Sequence, residues 1–190
     1  MTDFWAPLLA YLLGSVPAAW LLAKWREGGP ALRGLRFGLV AVAIGVVKGA
    51  LAVRLADGIT DGSPAWMSAA AVAVMLGNTY SIFQNFEGGK AVAAFLGAFA
   101  LIYPVPLAAT AVVFAAAVMA SRHLSAGAIV AAASFPLAVW LIQQPPLALL
   151  PAPVAAAALI LWRHRENVAR LRAGIEPVVS LRSPLWLDET

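Results

Sequence analysis

The chain has 190 residues, of which 62% are hydrophobic and 12% charged, and its formal net charge is +4. Because soluble domains carry about 25% charged and about 45–50% apolar residues, this composition excludes a soluble globular protein and fits an integral helical membrane protein. The chain has no cysteine, which excludes disulfides and cysteine-based metal sites or nucleophiles.

Seven apolar segments follow one another, and the sequence predicts an all-α, polytopic membrane protein in which each segment is a transmembrane helix. The segments cover residues 4–23, 37–56, 64–83, 91–103, 105–120, 124–142 and 147–162. Two of them, 91–103 and 105–120, are shorter than the roughly 20 residues that span a bilayer. The stretch 91–120 is therefore either two short helices forming a hairpin or one tilted helix kinked at Pro104 and Pro106. Residues 1–190 are predicted to form a single membrane domain that ends in a basic cytoplasmic tail, 163–190.

The positions of the basic residues predict the orientation in the membrane. With the N-terminus outside and 91–120 as a hairpin, the inner connections and the tail hold 11 of the 13 lysines and arginines. The outer connections hold acidic, glutamine and proline residues but no lysine or arginine. The positive-inside rule therefore predicts an outer N-terminus and a cytoplasmic C-terminus. Since topology accounts for the basic residues, they do not indicate a nucleic-acid partner.

Two basic residues lie inside the second segment. Arg54 is near its outer end and is expected to extend its side chain to the interface. Lys48 lies about 15 Å from the inner boundary, close to the midplane, where an ammonium costs at least about 2.5–3.5 kcal/mol against lipid. It is expected either to face the bundle interior and a partner, as a buried structural or substrate-facing group, or to reach the interface if the segment boundary is shifted.

One short stretch interrupts the apolar sequence with an acid, two glycines and a lysine, Glu87-Gly88-Gly89-Lys90. Two glycines leave backbone N–H groups unshielded, so an anion can approach closely and Lys90 can neutralise it. The next segment begins at Ala91, which would aim a helix N-terminus at the same point. The alternative is an ordinary tight turn with a lysine placed by topology. Glu87 is predicted to be solvated and has no assigned role.

Two further polar clusters lie at the predicted inner face. The serines of Ser121–Ser125 either cap the next helix or belong to a site. The stretch 163–177 is typical of a basic surface helix that contacts anionic headgroups. Within it His164, Asn167 and Leu171 share one helical face, and the first two are good donors to a phosphate or hydroxyl. With two histidines and no carboxylate pair in the bundle, no metal site is predicted.

Together these places resemble the bacterial acyl-phosphate:glycerol-3-phosphate acyltransferase family, known as PlsY. The resemblance extends along nearly the whole chain and is most specific in the central and tail blocks. The residues that carry it are YLLGSVPAAWLLAK (11–24), KGALAV (48–53), GNTYSIFQNFEGGKAVAA (77–94), RHLSAGAI (122–129) and RHRENVARLRAGIE (163–176).

The resemblance implies an enzyme of the bacterial inner membrane that moves a fatty acyl group from acyl phosphate to the 1-hydroxyl of glycerol 3-phosphate. The product is lysophosphatidic acid, a phospholipid precursor, and the family uses neither a metal nor another cofactor. The implied partners are therefore acyl phosphate, glycerol 3-phosphate and membrane lipids, and the oligomeric state is not predicted. The proton of the hydroxyl would pass to His164 or to a phosphate oxygen of the substrate, and the phosphate is the favoured acceptor because a binding role suits His164.

The family's site residues carry over to matching positions of this chain. Gly88, Gly89 and Lys90 match its phosphate-binding stretch, with Lys90 the catalytic cation. His164, the second catalytic residue, and Asn167 match tail residues that hold the glycerol phosphate. The remaining matches are Ser125, whose usual companion serine is Ala128 here, and Asn78, which follows Gly77 at the start of the central block.

The first inner loop departs from the family pattern. The family has an Asp-Ile-Arg element and a glycine- and asparagine-rich run there, which supply a serine and an arginine. This chain has WREGGPALRGLRFG (25–38) instead, and the aspartate expected before Lys48-Gly49 is Gly45. Arg33 is the candidate replacement for the missing arginine, and Arg26 and Arg36 also lie in this loop. The alternatives are a diverged paralogue that binds acyl phosphate, lipid or a partner enzyme, and an unrelated small permease or scaffold.

Overall fold

The computed structural model describes residues 3–17 and 35–179, the first three of the second range by their backbone. Within these ranges the regular structure is entirely helical. Single 3₁₀ turns occur at Ile82–Gln84 and Leu147–Leu149. The α-helices are α1 Trp5–Ser15, α2 Leu35–Ile59, α3 Pro64–Thr79, α4 Val92–Ile102, α5 Pro104–Ser121, α6 Leu124–Gln143, α7 Pro151–Arg163 and α8 Arg165–Arg172.

Four spans in the described ranges are long and apolar enough to cross a membrane. They are Gly38–Ile59 in α2, Pro64–Gln84 in α3 and its 3₁₀ extension, α5 and α6. A fifth results if Leu147–Arg163 and α8, which are bent by 51° relative to each other, count as one span. The shorter apolar helices α1 and α4 lie beside them, and seven spans with an outer N-terminus remain a prediction.

Several predicted segments begin or end at other residues than the helices of the structure. The first segment was predicted as one helix from 4 to 23, but α1 ends at Ser15 because Val16 leaves helical backbone geometry (φ −57°, ψ 118°) before Pro17. The remainder of that segment, 18–23, lies outside the described residues. The second segment, predicted as 37–56, runs from Leu35 to Ile59. The last one begins at Pro151 instead of residue 147, because a 3₁₀ turn precedes it.

The stretch 91–120 forms two helices that meet at Tyr103. Its two ends lie on the same side of the bundle, since both bind one short piece of the tail. Near the start, Lys90 hydrogen-bonds Asn167, which in turn hydrogen-bonds Glu176. Beyond the end, the carbonyl of Arg122 accepts from the amide of Val179 at 2.8 Å. One straight helix would separate these ends by about 45 Å, so the chain reverses between them.

Glycines allow α2 and α4 to pack backbone against backbone. A Cβ on Gly97 would overlap the carbonyl of Val46, and one on Gly49 would overlap the carbonyl of Ala94. Small residues at a helix contact allow the close approach that stabilises membrane helices, which lack a hydrophobic driving force for association. This contact positions the start of α4, at which the polar residues gather.

Replacing Gly97 by alanine is expected to lower the stability of the detergent-solubilised protein by about 1–3 kcal/mol, because the added methyl meets backbone that cannot rotate away. Thermal unfolding measures this change. Gly58→Ala is the matched control, since a Cβ there meets nothing within 4 Å and favours the helix. Equal melting temperatures for the two variants would contradict the close approach.

The two basic residues of the second predicted segment behave differently. Arg54 has an exposed side chain (69%) and pairs with Asp57 at 3.5 Å, as expected for a residue that reaches the interface. Lys48 is buried and donates to the carbonyls of Gly14 and Val16, so its expected partner in the bundle interior is confirmed.

Candidate active site

A cavity of about 760 Å³ opens between α1, α2, α3, the loop before α4 and the end of α7. Four of the predicted site residues line it: Asn78, Gly88, Gly89 and Lys90. Arg163 adds a second cation to the wall, and Lys48 adds a third. Glu87 also lines the cavity, so its three cations outnumber one carboxylate. The cavity therefore combines apolar helix faces with a lining of net positive charge, which suits an anion with a lipid tail.

The loop that carries the two glycines is held by its backbone against the end of α3. Asn85 and Phe86 adopt left-handed conformations (φ 50° and 63°), which turn the chain after the 3₁₀ turn. Gly88 then passes so close to the carbonyls of Asn78 and Thr79 that a Cβ would overlap them. Glycine at position 88 is therefore required by packing, in addition to any contact with a ligand.

The amide of Gly89 is not available to an anion in this structure. It donates to the carbonyl of Asn78 at 3.0 Å, so the expectation of an unshielded amide at Gly89 was wrong. The first turn of α4 is the better candidate for the backbone donors. Ala91, in left-handed conformation (φ 62°), begins that helix without a side-chain cap, and Ala91, Val92 and Ala93 line the cavity.

Lys90 joins the glycine loop to the tail. Its ammonium donates to Asn167 Oδ1 at 2.7 Å, across 77 residues of sequence. Asn167 Nδ2 donates to Glu176 Oε1 at 2.7 Å, and Arg170 Nε donates to Glu176 Oε2 at 2.7 Å. The four side chains thus form one continuous hydrogen-bonded row, which fixes the position of the Lys90 ammonium beside the cavity.

The row also sets the charge states of its members. The hydrogen bond from Asn167, with smaller contributions from the Ser125 hydroxyl and Arg170, lowers the pKa of Glu176 to about 2. Burial lowers the pKa of Lys90, and the positive charge of Arg170 lowers it further. Glu176 is therefore ionised at neutral pH. Since burial and Arg170 disfavour the charged form of Lys90, an anion bound beside its ammonium would stabilise that form.

Glu176→Gln is expected to remove part of the loss of stability that the native protein shows as the pH falls into the acid range. The carboxylate has its pKa depressed from 4.5 to about 2, so its stabilising effect is present above pH 4.5 and is lost as pH falls toward 2. Melting temperatures measured between pH 3 and 7 should therefore fall more steeply for the native protein than for Glu176→Gln. Glu166→Gln, at an exposed carboxylate on α8, should keep the native slope. Parallel curves for native protein and Glu176→Gln would contradict the row.

His164 lies at the bend between α7 and α8 and is buried. Its Nδ1 donates to the carbonyl of Ile160 at 2.8 Å, which leaves Nε2 as the acceptor when the ring is neutral. Burial lowers the pKa of His164, the hydrogen bond to Ile160 raises it in part, and the charge of Lys90 lowers it further. The neutral form with a free acceptor suits a hydroxyl better than a phosphate oxygen.

Arg163, Arg170 and Glu176 were predicted only as parts of a basic tail. Arg163 Nη2 donates to the carbonyl of Gly88 at 2.8 Å, and its guanidinium lies 5.9 Å from the ring centre of Tyr80. Arg163 directly precedes His164 in the sequence, and this was the available signal that Arg163 lies at the site. The acid at position 176, which follows four arginines of the tail, was the available signal for an internal partner of these cations.

Ser125 is buried on the first turn of α6, beside Glu176. The preceding turn also holds the tail, since the carbonyl of Pro177 lies 3.1 Å from His123 Nδ1. The structure thus brings Asn78, Gly88, Gly89 and Lys90 together with His164, Asn167 and Ser125. Of the loop arginines, Arg26 and Arg33 lie outside the described residues, and the side chain of Arg36 is not described either.

Comparisons with known proteins point to one family. The profile of the family described as "Glycerol-3-phosphate acyltransferase" matches residues 4–174. A glycerol-3-phosphate acyltransferase of Geotalea daltonii is 36% identical over 185 residues, which cover 89% of this chain and 93% of the relative. One from Geobacter sulfurreducens is 33% identical and covers 88% of this chain and 93% of the relative.

Solved structures give the same result. Crystal structures of PlsY (YgiH), an integral membrane glycerol 3-phosphate acyltransferase, superpose with TM-scores of 0.83 for the glycerol 3-phosphate form and 0.84 for the lysophosphatidic acid form. Each is 26% identical and covers 95% of this chain and 96% of that chain. The predicted all-α membrane fold is confirmed, and the bacterial inner membrane is its location. The chain belongs to the glycerol-3-phosphate acyltransferase family.

Proposed function

We propose that the protein transfers a fatty acyl group from acyl phosphate to the 1-hydroxyl of glycerol 3-phosphate and releases lysophosphatidic acid and inorganic phosphate. The observation that carries this proposal is the hydrogen bond of 2.7 Å between Lys90 and Asn167. It joins the loop at the cavity to the tail that carries His164, so groups suited to two phosphoryl anions and a hydroxyl meet at one place. The family membership and the two bound forms of PlsY support the same reaction.

The acyl phosphate is assigned to the cavity. Its phosphoryl group would accept from the first amides of α4 and from Lys90, while its alkyl chain would lie against the apolar faces of α2 and α4, including Val42 and Val92. Arg163 contributes a further positive charge at the wall. This binding needs no metal, because lysine, arginine and a helix N-terminus supply the neutralising charge.

Glycerol 3-phosphate is assigned to the tail side of Lys90. Asn167 has a second amide proton beyond the one it donates to Glu176, and this proton is suited to a phosphate oxygen. His164 Nε2 would accept the hydrogen bond of the 1-hydroxyl, and Ser125 would contribute a second hydroxyl contact. Arg33 is proposed to replace the arginine that the family places in the first loop.

The reaction then proceeds by direct attack. The oxygen of the 1-hydroxyl forms a bond to the acyl carbonyl carbon, and the bond from that carbon to the phosphate oxygen breaks. The phosphate is a good leaving group, so positioning and charge neutralisation lower the barrier more than a strong base does. The hydroxyl proton is held at His164 Nε2 and ends on the released phosphate, which balances atoms and charge.

The test is an assay of the purified protein in detergent or lipid with palmitoyl phosphate and glycerol 3-phosphate. Lysophosphatidic acid and inorganic phosphate should appear in equal amounts, and neither product should form at a comparable rate when glycerol 3-phosphate is left out. Product from palmitoyl-coenzyme A instead would assign a different donor. No product from either donor would overturn the proposal and favour a binding role.

A further inference from the structure

The first helix ends inside the bundle, and its end forms part of the cavity wall. α1 stops at Ser15, and Gly14, Ser15, Val16 and Pro17 all line the cavity. The last carbonyls of a helix have no partner within it and carry about half a negative charge together. Left uncapped, this wall would repel the phosphate anion that the cavity is proposed to accept.

Two side chains from other elements cap these carbonyls. Lys48, on α2, donates to the carbonyl of Gly14 at 2.7 Å and to that of Val16 at 2.8 Å. The hydroxyl of Ser81, in the loop before α4, donates to the carbonyl of Ser15. Three successive carbonyls at the end of α1 are thereby covered. Lys48 lies 34 and 32 residues from its two acceptors, and Ser81 lies 66 residues from its acceptor.

The ammonium of Lys48 does more than satisfy hydrogen bonds. It lines the cavity and is only 8% exposed. Its full positive charge exceeds the partial negative charge of the helix end, so the sign of this wall is reversed. An ammonium has three protons, and the two carbonyls use two of them, which leaves one donor for a ligand or water. A neutral donor such as serine could cap the carbonyls but could not reverse the sign.

We propose that Lys48 is a positioning residue that holds the end of α1 as a cavity wall and makes that wall attractive to the phosphoryl group of the acyl donor. Its role is therefore in affinity for the anionic head of the donor, distinct from the hydrogen-bonded row at Lys90. The inference rests on the proposed acyl transfer for the identity of the ligand. The charge effect itself can be measured by binding, without turnover.

The experiment compares an anionic and a neutral ligand of equal chain length. Hexadecyl phosphate and hexadecanol are bound to native protein and to Lys48→Met, Lys48→Gln and Lys48→Arg in the same detergent, with ligand-induced thermal shifts as the readout. Lys48→Met and Lys48→Gln should weaken hexadecyl phosphate at least about tenfold and hexadecanol by less than about threefold, whereas Lys48→Arg should keep both near native. Arg54→Met removes an exposed charge from the same helix and should change neither ligand.

Each outcome decides the proposal. Equal weakening of both ligands would overturn it, because a merely structural role does not distinguish charge. Unchanged binding of both would overturn it as well. If Lys48→Met does not fold, Lys48→Gln retains donors for the carbonyls and carries the test of charge alone. If the native protein binds hexadecyl phosphate but forms no lysophosphatidic acid, the proposed function is overturned, whereas the charge effect of Lys48 on binding can still be measured.

Discussion

Replacing Lys90 by alanine is expected to lower kcat/KM for acyl transfer by at least about a hundredfold, since one charge-assisted donor at a reacting oxyanion contributes about 10²–10³ in rate. Lys90 is the point at which the loop, the cavity and the tail meet, and its ammonium bonds Asn167 at 2.7 Å. Negative charge grows on the leaving phosphate as the acyl bond breaks. An ammonium beside that phosphate therefore stabilises the transition state more than the bound substrate.

The measurement is the initial rate of lysophosphatidic acid formation with both substrates varied. Lys90→Arg should retain part of the activity, because it keeps the charge but not the compact geometry. Arg165→Ala is the matched control, since Arg165 is an exposed cation on α8 that faces Trp162. A rate within about threefold of native for Lys90→Ala, with Arg165→Ala also native-like, would remove Lys90 from the mechanism.

The membrane fold was predictable from local sequence, and local sequence also indicated several of the candidate site residues, whose roles stay predictions. Hydropathy identifies the apolar spans, and the polar stretch with Gly88, Gly89 and Lys90 stands out because it interrupts them. His164 and Asn167, three residues apart, were predicted to share a helical face. In the structure α8 starts at Arg165. His164 is the residue that precedes the first turn of α8, and Asn167 lies within that turn.

Side-chain partners across the chain were not predictable in the same way. The carboxylate of Glu176 reads as one acid in a basic tail, yet it binds two side chains of the row. Lys48 was expected to need an interior partner, but the partner is the backbone at the end of α1, which exists only because that helix stops before Pro17. Periodicity describes which face a residue occupies, and it carries no information on which distant group lies opposite.

The role of the glycines shows a different limit. The sequence suggested that both leave amides free for an anion, and this idea follows correctly from the absence of a side chain. The fold uses that absence for packing as well, since Gly88 lies against the end of α3 and the amide of Gly89 bonds Asn78. The interpretation of a glycine therefore depends on what its neighbours in space require. Here the start of α4 becomes the better candidate for the backbone donors to an anion.

Removing the imidazole of His164 is expected to lower kcat by about 10²–10³, within the range that positioned acid–base groups contribute, and to change KM for glycerol 3-phosphate less. The reason is the fixed ring: Nδ1 donates to the carbonyl of Ile160, which leaves Nε2 of the neutral ring as the acceptor that we propose for the 1-hydroxyl. A residue that only bound the phosphate would show the opposite division, with a raised KM and an unchanged kcat. Initial rates of His164→Ala with glycerol 3-phosphate varied distinguish the two roles.

The pH dependence of kcat at saturating concentrations of both substrates tests the same assignment independently, because the second ionisation of free glycerol 3-phosphate at about pH 6 then does not shape the profile. Burial and the charge of Lys90 hold the pKa of His164 below 6.5, so the acceptor is present at neutral pH and is lost as pH falls below that value. The native enzyme should therefore show an acidic limb below pH 6.5. Glu176 does not produce this limb, because its pKa is about 2. Lys90 does not produce it either, because loss of its proton on raising the pH would affect the alkaline limb of the profile. In His164→Ala the limb should vanish from the residual activity. If it persists there unchanged, another group titrates, and the proton of the hydroxyl passes to the substrate phosphate without the help of His164.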